Sequence, residues 1–246
     1  IVFYNAFLPL LASRESYGRI SGYGFAMGYV GSLVSLLIAR PLFADGFVAE
    51  NLVNVRLSFV IAAGMFLAFS IPLFLFLKDR PPIAAAQVSY LSAGFNRVRQ
   101  TLSHIRSYKQ VAMFLLAFFL YNDGILTVIS FASIFAQQSL DFSLQEILVL
   151  FALVQASGIA GSLVFGFMTD KIGPKNTIII SLLCWIGVVL GAYVVTSKLA
   201  FYFIGVVAGS CMGGSQSASR SFMAMLTPAE REAEFFGFRT GVNHRP

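Results

Sequence analysis

The chain has 246 residues, 57% of them hydrophobic and 11% charged, with a net charge of +6. A soluble domain carries roughly 25% charged residues, so this composition excludes a water-soluble enzyme and points to a polytopic, all-α membrane helix bundle. Cys184 and Cys211 lie in apolar runs without His or Cys at ligand spacing, and they read as buried thiols rather than a disulfide framework or a metal site.

In chain order, Ile1 to Ala12 is too short to span a bilayer and reads as the last turns of a helix begun upstream. Ser13 to Ser21 is a charged loop with Arg14, Glu15 and Arg19. Gly22 to Ala39 forms the first span, in which Gly24-x-x-x-Gly28 has the spacing that lets helix backbones approach closely. A polar loop over Pro41 to Arg56 precedes an apolar span from Leu57 to Leu77.

The segment Lys78 to Gln110 is different in kind. Val88, Leu91, Phe95, Val98, Leu102 and Ile105 alternate steps of three and four, while Arg97, Arg99 and Arg106 fall on the opposite face. That division describes a helix lying along a membrane surface with its arginines among anionic headgroups. Detached from lipid it could bind nucleic acid, but flanking spans hold it to the bilayer, so no nucleic-acid partner is expected.

Val111 to Ala136 is the third span, interrupted by Tyr121-Asn122-Asp123-Gly124. Ser143-Leu144-Gln145-Glu146 is a capping box that starts the fourth span, Ile147 to Met168. Thr177 to Val195 and Leu199 to about Met225 follow, and Thr227-Pro228-Ala229-Glu230 starts another helix that dissolves into an aperiodic end. Gly205, Gly209 and Gly213 recur every four residues, which is packing spacing and not a nucleophile elbow. No catalytic constellation and no phosphate loop is visible, so neither an enzyme nor an ATP-driven pump is expected, and no cofactor.

With these spans, fourteen of the seventeen Lys and Arg fall on the side of the basic bridge, leaving Arg40, Arg56 and Lys198 on the other. The positive-inside rule makes the bridge cytoplasmic. The expected organisation is part of one helical bundle over 1–77, the cytoplasmic linker over 78–110, part of a second bundle over 111–239, and a frayed or foreign tail over 240–246.

The most specific stretch is Gly166-Phe167-Met168-Thr169-Asp170-Lys171-Ile172-Gly173-Pro174-Lys175. Gly166 permits close packing at a helix end, Gly173-Pro174 forces a turn, and Lys171 and Lys175 hold it at the surface. A carboxylate such as Asp170 at the membrane boundary is favourable beside a helix N-terminus or a guanidinium and unfavourable when either moves away, so it can bias one conformation over another.

This pattern resembles the signature loop of the major facilitator superfamily. The resemblance implies that the chain holds the end of helix four through helix ten of a twelve-helix carrier. It also implies that Asp170 belongs to a latch closing the cytoplasmic side, with Lys171 and Lys175 in support. Where the family often has arginine after the second glycine, this chain has Pro174. Phe3 to Pro9, Gly18 to Gly22, Leu120 to Gly124, Gly213 to Ser221 and Glu232 to Gly237 are similar to the vacuole-effluxer-like branch. Its fungal members are autophagy-related exporters of amino acids from the vacuole, and its bacterial members are mostly unassigned permeases. The membrane would be vacuolar in a fungus and the cell membrane in a bacterium.

Asp123, inside an otherwise apolar span, is the leading candidate for a substrate or proton site, because a carboxylate there needs a cavity or a partner. Gly124 is expected to break the helix beside it. The alternative is that Asp123 sits near the outer end of the span and hydrogen-bonds Asn122 or Tyr121. Tyr4, Asn5 and Gln155 are candidates either for lining the cavity or for interhelical hydrogen bonds. Gln216 and Arg220 share a helical face, where Arg220 can meet Glu230 or Glu234.

The expected function is therefore a secondary transporter, releasing a small polar solute such as an amino acid by alternating access, with proton coupling through Asp123. A non-transporting membrane scaffold or sensor on the same fold is the alternative. Partners are the lipid bilayer, the solute and protons; oligomeric state is not legible.

Overall fold

The computed structural model describes residues 7–43, 46, 48–76 and 109–227. Among these there is no strand, and six helices are long and apolar enough to cross a membrane. They are α1 (Tyr17–Ala39), α2 (Leu52–Phe76), α3 (Lys109–Ser139), α4 (Leu144–Ile172), α5 (Pro174–Val194) and α6 (Lys198–Leu226). The shortest, at 21 residues, is about 32 Å long, which matches the hydrocarbon core of a bilayer. The all-α membrane bundle expected from composition is the architecture present.

Every one of these helices starts ahead of its apolar run, and α3, α4 and α6 also end beyond it. The fourth span, expected over 147–168, runs from Leu144 to Ile172, and the first begins at Tyr17 rather than Gly22. Apolar residues mark only the stretch inside hydrocarbon, whereas backbone hydrogen bonding carries a helix on into the interface. The loop expected over Ser13 to Ser21 is accordingly a 3-10 turn at Arg14–Ser16 followed at once by α1. Gly124 does not break its helix: α3 is continuous through it. The bridge helix over 78–108, the second capping box beyond Thr227 and the tail lie outside the described residues.

The chain divides into two compact units, one of residues through Leu36 together with those from Gln110, the other of Leu37–Lys109. In the second, Asn51 donates to the carbonyls of Leu42 (2.9 Å) and Gly46 (2.8 Å) and accepts from Asn54 (2.8 Å), closing the loop ahead of α2. α2 itself presents Phe59, Phe66, Phe69, Phe74 and Phe76 outward.

In the first unit α6 is the axis, packed most extensively on α4 and next on α5. The glycine stripe explains the fit. A Cβ at Gly205 would stand 2.7 Å from Leu150, one at Gly209 would strike Val154 and Ser157, and one at Gly213 would strike Gly158 and Ser162. Ser181 donates to the Cys211 carbonyl (3.0 Å), tying α5 to the same helix.

The Ser143 capping box is formed as expected: the Glu146 amide donates to Ser143 Oγ (3.3 Å) and the Ser143 amide to Glu146 Oε2 (2.8 Å). Lys198 Nζ reaches both Glu146 oxygens at 2.8 Å and lies 5.3 Å from the Phe142 ring centroid. The N-termini of α4 and α6 are thereby joined over a cluster of Ala136, Leu140, Phe142, Ile147, Leu150 and Phe201. Both partners are partly exposed, so solvent screens the ion pair and its own contribution to stability is small.

Candidate functional site

The opposite end of α4 holds the Asp170 corner. Gly173, at φ 84°, ends α4 with its N–H on the Thr169 carbonyl (3.0 Å), and Pro174 opens α5 at a position where its missing N–H leaves no bond unmade. Asn176 returns to the Ile172 carbonyl (3.0 Å) and Thr177 to that of Gly173 (2.9 Å), which fixes the turn. Lys171 and Lys175 are exposed on it.

Asp170 sits in the last turn of its own helix, where the dipole disfavours a carboxylate. Its compensation comes from α1. The Gly18 amide donates to Oδ1 (2.7 Å), and the Arg19 amide (3.2 Å) and Arg19 Nε (2.8 Å) donate to Oδ2. These amides belong to the first turn of α1, which has no intrahelical acceptor for them, so the carboxylate occupies a helix N-terminal anion site. The approach requires glycine. A Cβ at Gly18 would stand 2.5 Å from the Gly166 oxygen, 2.6 Å from Asp170 Oδ1 and 2.7 Å from Thr169 Cβ.

A seam of small and polar residues continues up α1 from this corner. Ser221 Oγ donates to the Tyr17 carbonyl (3.0 Å) and Ser21 Oγ to the Ser217 carbonyl (3.0 Å). A Cβ at Gly22 would lie 2.5 Å from the Ser162 oxygen. At the far end the Tyr29 ring lies on Gly158, where a Cβ would be 2.9 Å from ring atoms, and the Tyr29 hydroxyl donates to Gln216 Oε1 (3.1 Å). Packing thus runs through Gly18 and Gly22. The Gly24-x-x-x-Gly28 register expected for close approach is not the one used: Gly28 has open space around it.

The other candidates are not gathered into one pocket. Tyr121 hydrogen-bonds Ser219 of α6 (2.6 Å). Asn122 is half-buried, and Asp123 is exposed, its carbonyl accepting from Thr127 (2.9 Å). Successive residues turn about 100° around a helix, so Tyr121 and Asp123 face different directions. Asp123 is fourteen residues from Lys109 and sixteen from Ser139, in the middle of α3 and not near an end. Gln155 is half-buried, one turn from Gly158. Arg220 is buried. Tyr4, Asn5, Glu230 and Glu234 lie outside the described residues. Among the described residues no group of three or more His, Cys, Asp or Glu could hold a metal ion.

Sequence reasoning missed Tyr29, Gly18 and Arg19 as partners. Gly18 and Gly22 carried a signal, being spaced by four like the stripe on α6. Tyr29 carried none, since its partner is 187 residues away.

The family model described as "Vacuole effluxer Atg22 like" matches residues 1–243. Over 241 residues the chain is 28% identical to the uncharacterized MFS-type transporter YxiO of Bacillus subtilis, covering 96% of this chain and 56% of that protein. It is 31% identical over 249 residues to autophagy-related protein 22 of Yarrowia lipolytica, covering 89% of this chain and 42% of that one. With autophagy-related protein 22 of Eremothecium gossypii it is 28% identical over 238 residues, covering 89% and 45%. The chain thus spans about half the length of these curated relatives. No solved structure matches it.

Proposed function

Because this chain belongs to the vacuole effluxer Atg22-like family, we propose that it works in a secondary transporter that releases a small polar solute, amino acids in particular, by alternating access. The observation that carries the reading is the hold of Asp170 on the first turn of α1. With α1 seated, the carboxylate has two amides and a guanidinium. With α1 withdrawn, it keeps only the unfavourable end of its own helix dipole. Asp170 therefore biases the chain towards the conformation in which this end is shut.

The composition of the seam supports movement there. Gly18, Ser21, Gly22, Ser162, Gly166 and Ser217 present backbone and hydroxyl groups, which water can hydrogen-bond when the helices part. Parting this glycine–serine stretch consequently exposes little apolar area, which keeps its share of the opening free energy small. The excess of Lys and Arg on the Asp170 side supports a cytoplasmic placement of this end.

Asp123 is the proposed proton carrier. An exposed carboxylate halfway along a membrane helix costs about a few kcal/mol against lipid, which favours its facing a polar cavity or an outside partner. Tyr121, Asn122 and Gln155 supply further polar groups in the central part of the bundle, and Lys171 and Lys175 anchor the turn that carries Asp170.

Counterflow of labelled amino acids into vesicles containing the full-length protein tests the reading. Exchange of at least one amino acid is expected; folded protein that exchanges none would overturn it.

A further inference from the structure

Tyr29 and Gln216 occupy the end of the seam remote from Asp170. Tyr29 is twelve residues beyond Tyr17, about 18 Å along α1, which puts its hydroxyl deep in the bilayer. The contact differs in kind from the one at Asp170. It is a single hydrogen bond between two neutral groups, reaching from α1 to α6, whereas Asp170 makes three charge-assisted ones. Glycine at 158 seats the ring whether or not the hydroxyl is bonded. The hydroxyl's partner is thus the exchangeable part.

We propose that the Tyr29–Gln216 hydrogen bond is the inner gate of this seam, and that a solute opens it by presenting an N–H or O–H donor to Gln216 Oε1 in place of the phenol. The chemistry of the site sets the ligand class. Gln216 Oε1 is the acceptor in this pair, so only a donor competes for it; an ammonium, amide N–H or hydroxyl qualifies, and a fully N-methylated group does not. A charged donor outbids a neutral phenol, since charge-assisted hydrogen bonds are roughly twice as strong. Gln155, one turn from Gly158 on α4, gives the solute a second polar contact near the ring. Exchange of the inner bond removes the Tyr29 hydroxyl's link from α1 to α6 while the Asp170 corner, the serine contacts and the glycine packing remain, so occupancy of the centre weakens the hold on α1 and promotes opening at the surface. The solute part of this inference rests on the transporter reading above.

The test uses Ser21, fully buried between α1 and α6, as reporter. Ser21→Cys is placed in the full-length protein with Cys184→Ala and Cys211→Ala, and its reaction with a membrane-impermeant thiol reagent added on the Asp170 side is timed. Tyr29→Phe removes the hydroxyl and keeps the ring. It should speed labelling about two- to tenfold, the range one neutral hydrogen bond carries, and Gln216→Met should do the same without adding to it in the double variant. An amino acid that undergoes counterflow should speed labelling of the Tyr29 protein and leave Tyr29→Phe unchanged, and its N-trimethylated form should speed labelling of neither. A purely structural bond would not respond to solute. Labelling of both variants at the parent rate would overturn the gate. A solute that exchanges but accelerates both forms equally would overturn the competition. Absence of counterflow for every amino acid would sink the transporter reading, and the solute step with it, while the variant rates still decide whether the bond holds the seam.

Discussion

Gly18→Ala asks whether the seam is as tight as the geometry implies. The new Cβ would sit 2.5–2.7 Å from a backbone oxygen, the Asp170 carboxylate and Thr169 Cβ, and neither the oxygen nor the bound carboxylate can yield without breaking the corner. Overpacking of this kind costs about 1–3 kcal/mol, and three hard contacts put it near the top of that range. Alanine recovers about 1 kcal/mol of helix propensity, leaving a net loss of about 2 kcal/mol. For a domain of 150–250 residues that corresponds to a fall of about 4–8 °C in the melting midpoint, read as loss of the monodisperse peak of detergent-solubilised protein on heating. Gly28→Ala, on the same helix with nothing within 4 Å, is the control and should be neutral or slightly stabilising. Equal midpoints for the two variants, or a larger loss at Gly28, would refute the packing argument.

Three further outcomes can be measured. Asp170→Ala should release α1 from α4 and raise exposure of the Ser21→Cys reporter by more than Asp170→Asn does, because asparagine keeps an oxygen for the Gly18 amide. High salt should narrow the gap between wild type and Asp170→Asn, since Arg19 is half-exposed and its pairing is screened. Asp123→Asn should leave counterflow intact while abolishing accumulation driven by an imposed pH gradient, and retention of that accumulation would remove Asp123 from proton coupling.

Much of the fold was legible because lipid enforces it. A run of about twenty apolar residues has few alternatives to a spanning helix, and Ser143 with Glu146 marked the cap of α4, although the span itself was expected only from Ile147 and the helix begins at Leu144. The Asp170 turn was legible for a related reason, since its glycines and charges are local. Its partner was not. Arg19 lies 151 residues away, and sequence could say only that a carboxylate there wants a helix N-terminus or a guanidinium. Glycine spacing likewise shows that a face is small without showing which face meets a neighbour. That is why the seam runs through Gly18 and Gly22 and leaves Gly28 facing open space. Asp123 shows the reverse limit: the sequence placed it inside an apolar span but left its depth open, and its direction depends on which side of α3 packs against α6.

Placement of the helices across the bilayer is the premise of the transport account, and sided labelling measures it most directly. Single cysteines replacing Lys109 at the start of α3, Lys175 at the start of α5 and Lys198 at the start of α6 would be challenged with an impermeant reagent in sealed vesicles of known orientation. Two helices separate Lys109 from Lys175 and one separates Lys175 from Lys198. The first two should therefore react from the cytoplasmic face and the third from the opposite face. Reaction of Lys109→Cys and Lys175→Cys from opposite faces would contradict the arrangement, and the alternating-access account would fall with it.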